Sequence, residues 1–169
     1  LMNPPYGSQN RMPDVVQSYI NERYRYAPEF YINFFEVCDT VTAENGRIGM
    51  LVPWSFMMKK TFEDFRKDFV GDRGSFEFLA EFGYGVLDNA TVGTVGTVVR
   101  TDTNTKTGDF IRLHDVDTED KHDSFVDTIE TPEPEDIKRY YLVDLEEFSQ
   151  IPGSPICYST PDEVRQLHT

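Results

Sequence analysis

The sequence predicts an α/β fold, the second half of an open sheet that ends in a hairpin-like pair of strands. Three observations predict it. "RIGMLVP" (Arg47 to Pro53) is a short, mostly apolar run between an Asn-Gly pair and a proline, the pattern of a buried parallel strand. Apolar residues at helical spacing flank it on both sides. Two further runs, "SFEFLAEFG" (Ser75 to Gly83) and "TVGTVGTVVRT" (Thr91 to Thr101), follow with no helix between them and pair as neighbours.

The elements follow in order. Leu1 to Gly7 ("LMNPPYG") contains two consecutive prolines, which remove two N–H donors and push the residue before each out of the helical region. It is a rigid extended turn. Asp14 to Tyr26 places Val15, Val16, Tyr19, Ile20 and Tyr24 near helical spacing. Glu29 to Ala43 does so more clearly, with Phe30, Tyr31, Phe34, Phe35, Val37, Cys38 and Val41 on one broad face. Asn45-Gly46 stops that helix. After the Arg47 strand, Thr61 is placed to cap a helix bearing Phe62, Phe65, Phe69 and Val70, with Asp64 where a capping box wants an acid. Beyond Arg100 the chain turns polar and acidic. A strand is expected near Phe110 to Leu113, a solvated loop over Asp115 to Asp123, a strand over Tyr140 to Leu145 and a tight turn at Pro152-Gly153. Three parts are expected: 1–101 as the sheet unit, 102–138 as an acidic insertion or linker, and 139–169 as a small C-terminal extension.

Composition narrows the class. The chain has 169 residues, long enough for a real core, and 38% of them are hydrophobic, which excludes a disordered composition. No apolar run approaches the roughly 20 residues of a membrane span. Cys38 and Cys157 are isolated, His114, His122 and His168 are scattered, and no metal spacing is present; a reduced cytoplasm fits best. The acidic stretch from Asp115 lacks the glycine and terminal glutamate of a calcium loop. Sixteen Lys+Arg against thirty Asp+Glu give a formal charge of −14. Such a chain repels DNA at low salt. A high-salt source explains it, because at molar salt the Debye length shrinks to about 3 Å. The alternatives are an ordinary acidic protein and an acidic surface that binds a basic partner or mimics DNA.

The opening turn carries chemistry. Asn3 Oδ1 and the Pro4 carbonyl can accept hydrogen bonds from an exocyclic amine. Tyr6 offers a plate for a flat ring, and the proline pair holds both at low entropy cost. An enzyme that acts on a base's amine needs these parts, because it must first take the base out of the stack. Trp54 and Ser55 follow a strand whose carboxyl end faces the ligand crevice of an α/β sheet, which makes them candidate pocket residues. Lys59, Lys60, Arg66 and Lys67 are the densest basic cluster, but Glu63, Asp64 and Asp68 among them read as a mixed solvated helix face.

"NPPYG" resembles motif IV of the N6-adenine-specific DNA methyltransferases, with their Rossmann-like class I fold. "NGRIGMLVPWSFM", "FRKDFV" and "GYGVLDNATVGTVGTVV" resemble the strand, helix and motif VIII that follow in that family. "FSQIPGSPICYS" is similar to the lead into the target-recognition region of BREX-type phage-defence methyltransferases and type IIG enzymes. The resemblance implies adenine N6-methylation of double-stranded DNA, with a flipped adenine and S-adenosylmethionine as methyl donor. Asn3, Pro4 and Tyr6 are then the catalytic residues, and Asn3, Pro5, Tyr6, Leu87 and Tyr84 the adenine-binding ones. The second aromatic plate that this family often carries falls at Leu87, with Tyr84 the nearby substitute. The family's glycine-rich cofactor loop precedes motif IV, so the resemblance places the cofactor-binding residues upstream of Leu1, in cis or on a separate subunit. The alternatives are an inactive remnant and an acidic interaction module.

Overall fold

A computed structural model describes residues 1–26, 29–73, 75–87, 92–101, 106–131 and 139–165. The expected α/β class holds. Strands β1 (Arg47–Pro53), β2 (Phe76–Gly83), β3 (Thr94–Arg100), β4 (Thr107–Arg112) and β5 (Tyr140–Asp144) form one open sheet in the order β1-β3-β2-β4-β5. β3 lies between β1 and β2 and is antiparallel to both, β4 is parallel to β2, and β5 closes antiparallel on β4. β1, β2 and β4 therefore run the same way, and their carboxyl ends share one edge.

The buried parallel strand expected at Arg47 is instead antiparallel to its β3 neighbour; its parallel contact is on the other side, where Met2 bridges to Met50. The Met2 N–H donates to Gly49 O at 2.8 Å and the Leu51 N–H donates to Met2 O at 3.0 Å. The Asn3–Tyr6 turn thus leaves the sheet at the same edge as the ends of β1, β2 and β4.

Helix α1 (Asp14–Arg23) buries only Ile20; Val15 and Tyr19 are exposed, so its apolar spacing is not a core stripe. Tyr26, beyond the end of this helix, is buried, and its hydroxyl donates to Asp68. Helix α2 (Phe30–Val41) carries the core face, with Tyr31, Ile32 and Phe35 buried while Val41 faces solvent. It ends before a turn in which Asn45 takes φ 60°, a conformation that asparagine tolerates better than other side chains. A Cβ at Gly46 would stand 2.2 Å from Thr42 Cγ2, so only glycine fits there.

The Thr61-capped helix does not form. Lys60–Phe62 is a 3₁₀ turn without a side-chain cap, α3 is the single turn Glu63–Phe65, and the chain continues as a π-helix over Arg66–Asp72. The widened π turn serves packing. Phe65 and Phe69 stack with centroids 4.9 Å apart, and Phe35 lies 5.2 Å from Phe65. With Phe56 and Phe76 they form an aromatic core between the helices and one sheet face.

The solvated loop expected over Asp115 to Asp123 gives way to helix α4 (Lys121–Glu130) at its carboxyl end. Lys121 is buried and its Nζ donates to Leu113 O and Val116 O, which ties the helix start to the turn after β4. The short helices α5 (Glu146–Ser149) and α6 (Asp162–Arg165) flank a tight turn in which Gly153 takes φ +83°. Thr91 and His168 lie outside the described residues. No helix among the described residues is long and apolar enough to cross a membrane.

Candidate active site

The Asn3–Tyr6 turn is held at both ends. Met2 pairs with β1 upstream, and downstream Gly7 O accepts from the Phe30 N–H at 2.9 Å. Tyr6 fixes the middle. Its hydroxyl donates to Leu51 O at 3.0 Å and its ring meets Tyr31 edge-on at 6.5 Å. Partial burial pushes the Tyr6 phenol above its ordinary pKa, so it stays a donor at neutral pH. Pro4 is buried, whereas Asn3 and Pro5 are exposed. The rigid pair thus turns the Asn3 amide toward solvent while one proline packs inward.

Tyr31 links this turn to a second feature. Its hydroxyl lies 3.0 Å from Ser55 Oγ, and Ser55 lines a cavity of about 440 Å³ between the end of β1 and the segment at Ile156–Thr160. Register explains the location: Thr94 pairs with both Pro53 and Gly83, so the ends of β1 and β2 meet across β3. Gly83 takes φ +70°, and a Cβ there would lie 2.8 Å from the His114 backbone, which lets the chain after β4 close in. Trp54 stands edge-on to Tyr84 at 5.3 Å and to His114 at 6.1 Å. Buried Glu81 sits below. His114 Nδ1 lies 2.9 Å from Glu81 Oε1, Tyr158 donates its hydroxyl to Glu81 Oε2, and the far side of the imidazole meets Arg112 at 3.0 Å. Burial and the Glu81 charge together raise the Tyr158 phenol well above its usual range.

The structure brings Asn3, Pro4, Pro5, Tyr6, Trp54, Ser55 and Tyr84 to one sheet edge. Tyr84 is 57% exposed and packs on Trp54. Leu87 is half-buried at the end of the described β2–β3 connection, next to residues 88–91, which lie outside the description. The basic cluster divides. Lys67 pairs with Glu63 at 2.6 Å, but Arg66, read from sequence as part of a solvated face, is 1% exposed. Its guanidinium donates to the carbonyls of Phe56, Lys59, Gly153 and Ser154. Glu81, His114 and Tyr158 escaped sequence reasoning as a group. They come from three separate elements, and only the strand pairing and the closing turn unite them. Among the described residues no cluster of histidine, cysteine or carboxylate is arranged to hold a metal ion.

A nucleoside cofactor of the class I kind is held by glycines that open a helix after a strand. The described glycines near this edge are occupied otherwise. A Cβ at Gly93 would sit 2.4 Å from the Trp54 indole, at Gly85 2.3 Å from Thr118 Oγ1, and at Gly96 3.0 Å from Phe82. None opens a helix, and these residues do not form that cradle.

The comparisons agree with the fold. A type I restriction–modification methyltransferase subunit from Streptococcus thermophilus superposes with a TM-score of 0.67 at 12% identity, over 94% of this chain and 36% of that one. The type IIG restriction endonuclease BpuSI matches with a TM-score of 0.56 at 15% identity, over 93% of this chain and 20% of that one. The M protein of the type I restriction enzyme EcoKI matches with a TM-score of 0.51 at 16% identity, over 66% of this chain and 24% of that one. The chain thus spans little more than a third of the first of these and less of the others. No curated protein sequence matches it. The family model of the Eco57I restriction-modification methylase matches residues 1–85, which contain the Asn3–Tyr6 turn, the core helix, β1 and β2, and the chain belongs to that family.

Proposed function

We propose that this chain is the base-holding half of an adenine-specific DNA methyltransferase of a restriction–modification or phage-defence system, with S-adenosylmethionine as the methyl source and N6 of a flipped adenine as the acceptor. The observation that carries the reading is the Asn3–Tyr6 turn. It is anchored by β1 on one side and Phe30 on the other, with the Asn3 side chain exposed at the carboxyl edge of the sheet.

In this reading Asn3 Oδ1 and the Pro4 carbonyl accept the two amine hydrogens. Accepting both draws the nitrogen's lone pair out of conjugation with the ring and aims it at the donor. Tyr6, its hydroxyl tied to Leu51, presents a fixed face to the base, with Pro5 beside it. Leu87 and Tyr84 close the other side. Flipping the base carries an unstacking cost of a few kcal/mol that these contacts offset. The residues that hold the cofactor belong to chain outside these 169 residues, in cis or on a second subunit. Met2 pairing on the outer edge of β1 supports this, as does the fraction of the matched structures that the chain spans. Two free cysteines fit a reduced cytoplasmic setting.

The test is methylation of duplex DNA by the protein that carries this chain together with its cofactor-binding half. Transfer of labelled methyl to adenine N6 is read for the wild type and for Asn3→Ala. A loss of at least a hundredfold at unchanged melting temperature supports the reading. Full transfer by Asn3→Ala overturns it.

A further inference from the structure

We infer that the cavity behind Trp54 is a second nucleobase subsite, separate from the Asn3–Tyr6 turn, which takes a neutral planar base carrying an N–H donor. Its walls carry the argument. Gly93 backs the indole so closely that a Cβ would lie 2.4 Å from it, and the remaining ring surface bounds the cavity. The volume, about 440 Å³, lies in the range of small-molecule sites. An aromatic wall accepts any base by stacking.

The floor selects among ligands. Glu81 is buried, and its carboxylate accepts from Tyr158 on one oxygen and faces His114 on the other. A carboxylate has about four acceptor positions, so capacity remains for a ligand N–H. Arg112 and Glu81 balance each other across His114, so the floor presents an acceptor without a net charge that would demand an ionic ligand. Of the lining residues, Lys59 carries the cationic group; it is exposed, where it can meet a sugar-phosphate outside the cavity but not an anion on the floor. An exocyclic amine on a stacked base satisfies all three conditions. The cavity is tied to the Asn3–Tyr6 turn by contacts: Ser55 on its wall lies 3.0 Å from the Tyr31 hydroxyl, and the Tyr31 ring meets Tyr6 edge-on. The subsite rests on the methyltransferase reading only for the source of its base, which is either an unstacked base of the DNA strand or a free nucleoside.

Trp54 is the sole tryptophan of the chain, so its fluorescence reports on this cavity directly. The experiment titrates the protein that carries this chain with adenosine, with single-stranded oligodeoxyadenylate and with ribose 5-phosphate, and reads the quenching that Trp54→Phe removes. We expect saturable quenching by the first two and none by the third. The Glu81→Gln variant weakens it at least tenfold, and Asn3→Ala leaves it within twofold of wild type. Cys157→Leu, which fills the cavity without touching the Glu81 network, abolishes quenching and serves if Glu81→Gln misfolds. Quenching by adenosine but not by the oligonucleotide assigns the subsite to a free nucleoside. Absence of saturable quenching by either, equal quenching by ribose 5-phosphate, or loss on Asn3→Ala overturns the subsite. None of these outcomes depends on methyl transfer, so the subsite and the proposed activity fail separately.

Discussion

The Tyr6 hydroxyl donates to the backbone carbonyl of Leu51 across 3.0 Å and 45 positions of sequence. This bond sets the ring that follows the two prolines relative to the strand beside it. Tyr6→Phe removes one partly buried hydrogen bond and costs about 1 kcal/mol. The expected result is a small fall in melting temperature. Under the proposed function, the protein that carries this chain should show a larger fall in methyl transfer, because the plate is no longer locked. Unchanged transfer by Tyr6→Phe refutes the locking role, and Tyr6→Ala then measures the contribution of the ring itself.

Arg66 ties two separate turns to the core through one buried side chain. It is 1% exposed and supplies donors to four backbone carbonyls, two at the exit of β1 and two in the turn at Gly153–Ser154. Burial depresses its pKa, yet a guanidinium stays charged at any working pH. Arg66→Met leaves the four carbonyls without that donor and costs about 3 kcal/mol or more. At ~2–4 °C per kcal/mol for a chain of this size, thermal unfolding should begin roughly 6–12 °C lower. Arg66→Lys should not restore it, since an ammonium has three donors and no planar fork. A Lys variant with wild-type melting contradicts this account.

Gly93 holds the indole in place by having no side chain. In Gly93→Ala the Cβ would stand 2.4–2.8 Å from three indole atoms, so Trp54 must move. Overpacking of this kind costs about 1–3 kcal/mol. The measurement is tryptophan emission, which should shift to the red as the ring leaves its seat against Tyr84 and His114. Emission identical to wild type would show that the backbone, not the indole, gives way.

Alkaline pH should unfold the chain early. The phenols of Tyr6, Tyr26, Tyr31 and Tyr158 are raised above the ordinary 10.0, with burial the largest cause. Tyr140 is pushed up to about 12, chiefly by its hydrogen bond to Asp109. A phenol whose folded pKa is raised binds its proton more tightly in the folded state. The stability it adds is complete below about pH 10, where the unfolded phenol titrates, and is lost as pH climbs through the folded values. Melting temperature should therefore hold level from about pH 8 to 9 and drop steeply above about pH 10. A level profile to about pH 11.5 contradicts the prediction.

Much of the fold is legible locally. β-Branched and apolar runs mark β1, β2 and β3, because a strand buried on its faces needs such residues along its length. Asn45-Gly46 marks the entry to β1, since asparagine tolerates the φ of 60° and a Cβ at Gly46 would clash with Thr42 and the Ala43 carbonyl. The Asn3–Tyr6 turn is legible because prolines dictate their own dihedrals. The π-helix over Arg66–Asp72 is not, because a capping box reads the same whether the turn that follows has an α or a π pitch. Val15 and Tyr19 keep the spacing of a core helix but stay exposed, Tyr19 under the Arg23 guanidinium, and spacing alone cannot report burial.

By itself the sequence determined the alternation of helix and strand and the identity and rigidity of the residues presented at the Asn3 turn. Both are local properties of dihedral preference and side-chain type. Only tertiary structure decided that β3 lies between β1 and β2, that Arg66 is interior, and that Glu81, His114 and Tyr158 meet beneath Trp54. Strand neighbours are chosen by which arrangement buries the aromatic core and satisfies every backbone donor at once. That choice is made among residues tens of positions apart, where no short window of sequence carries the answer.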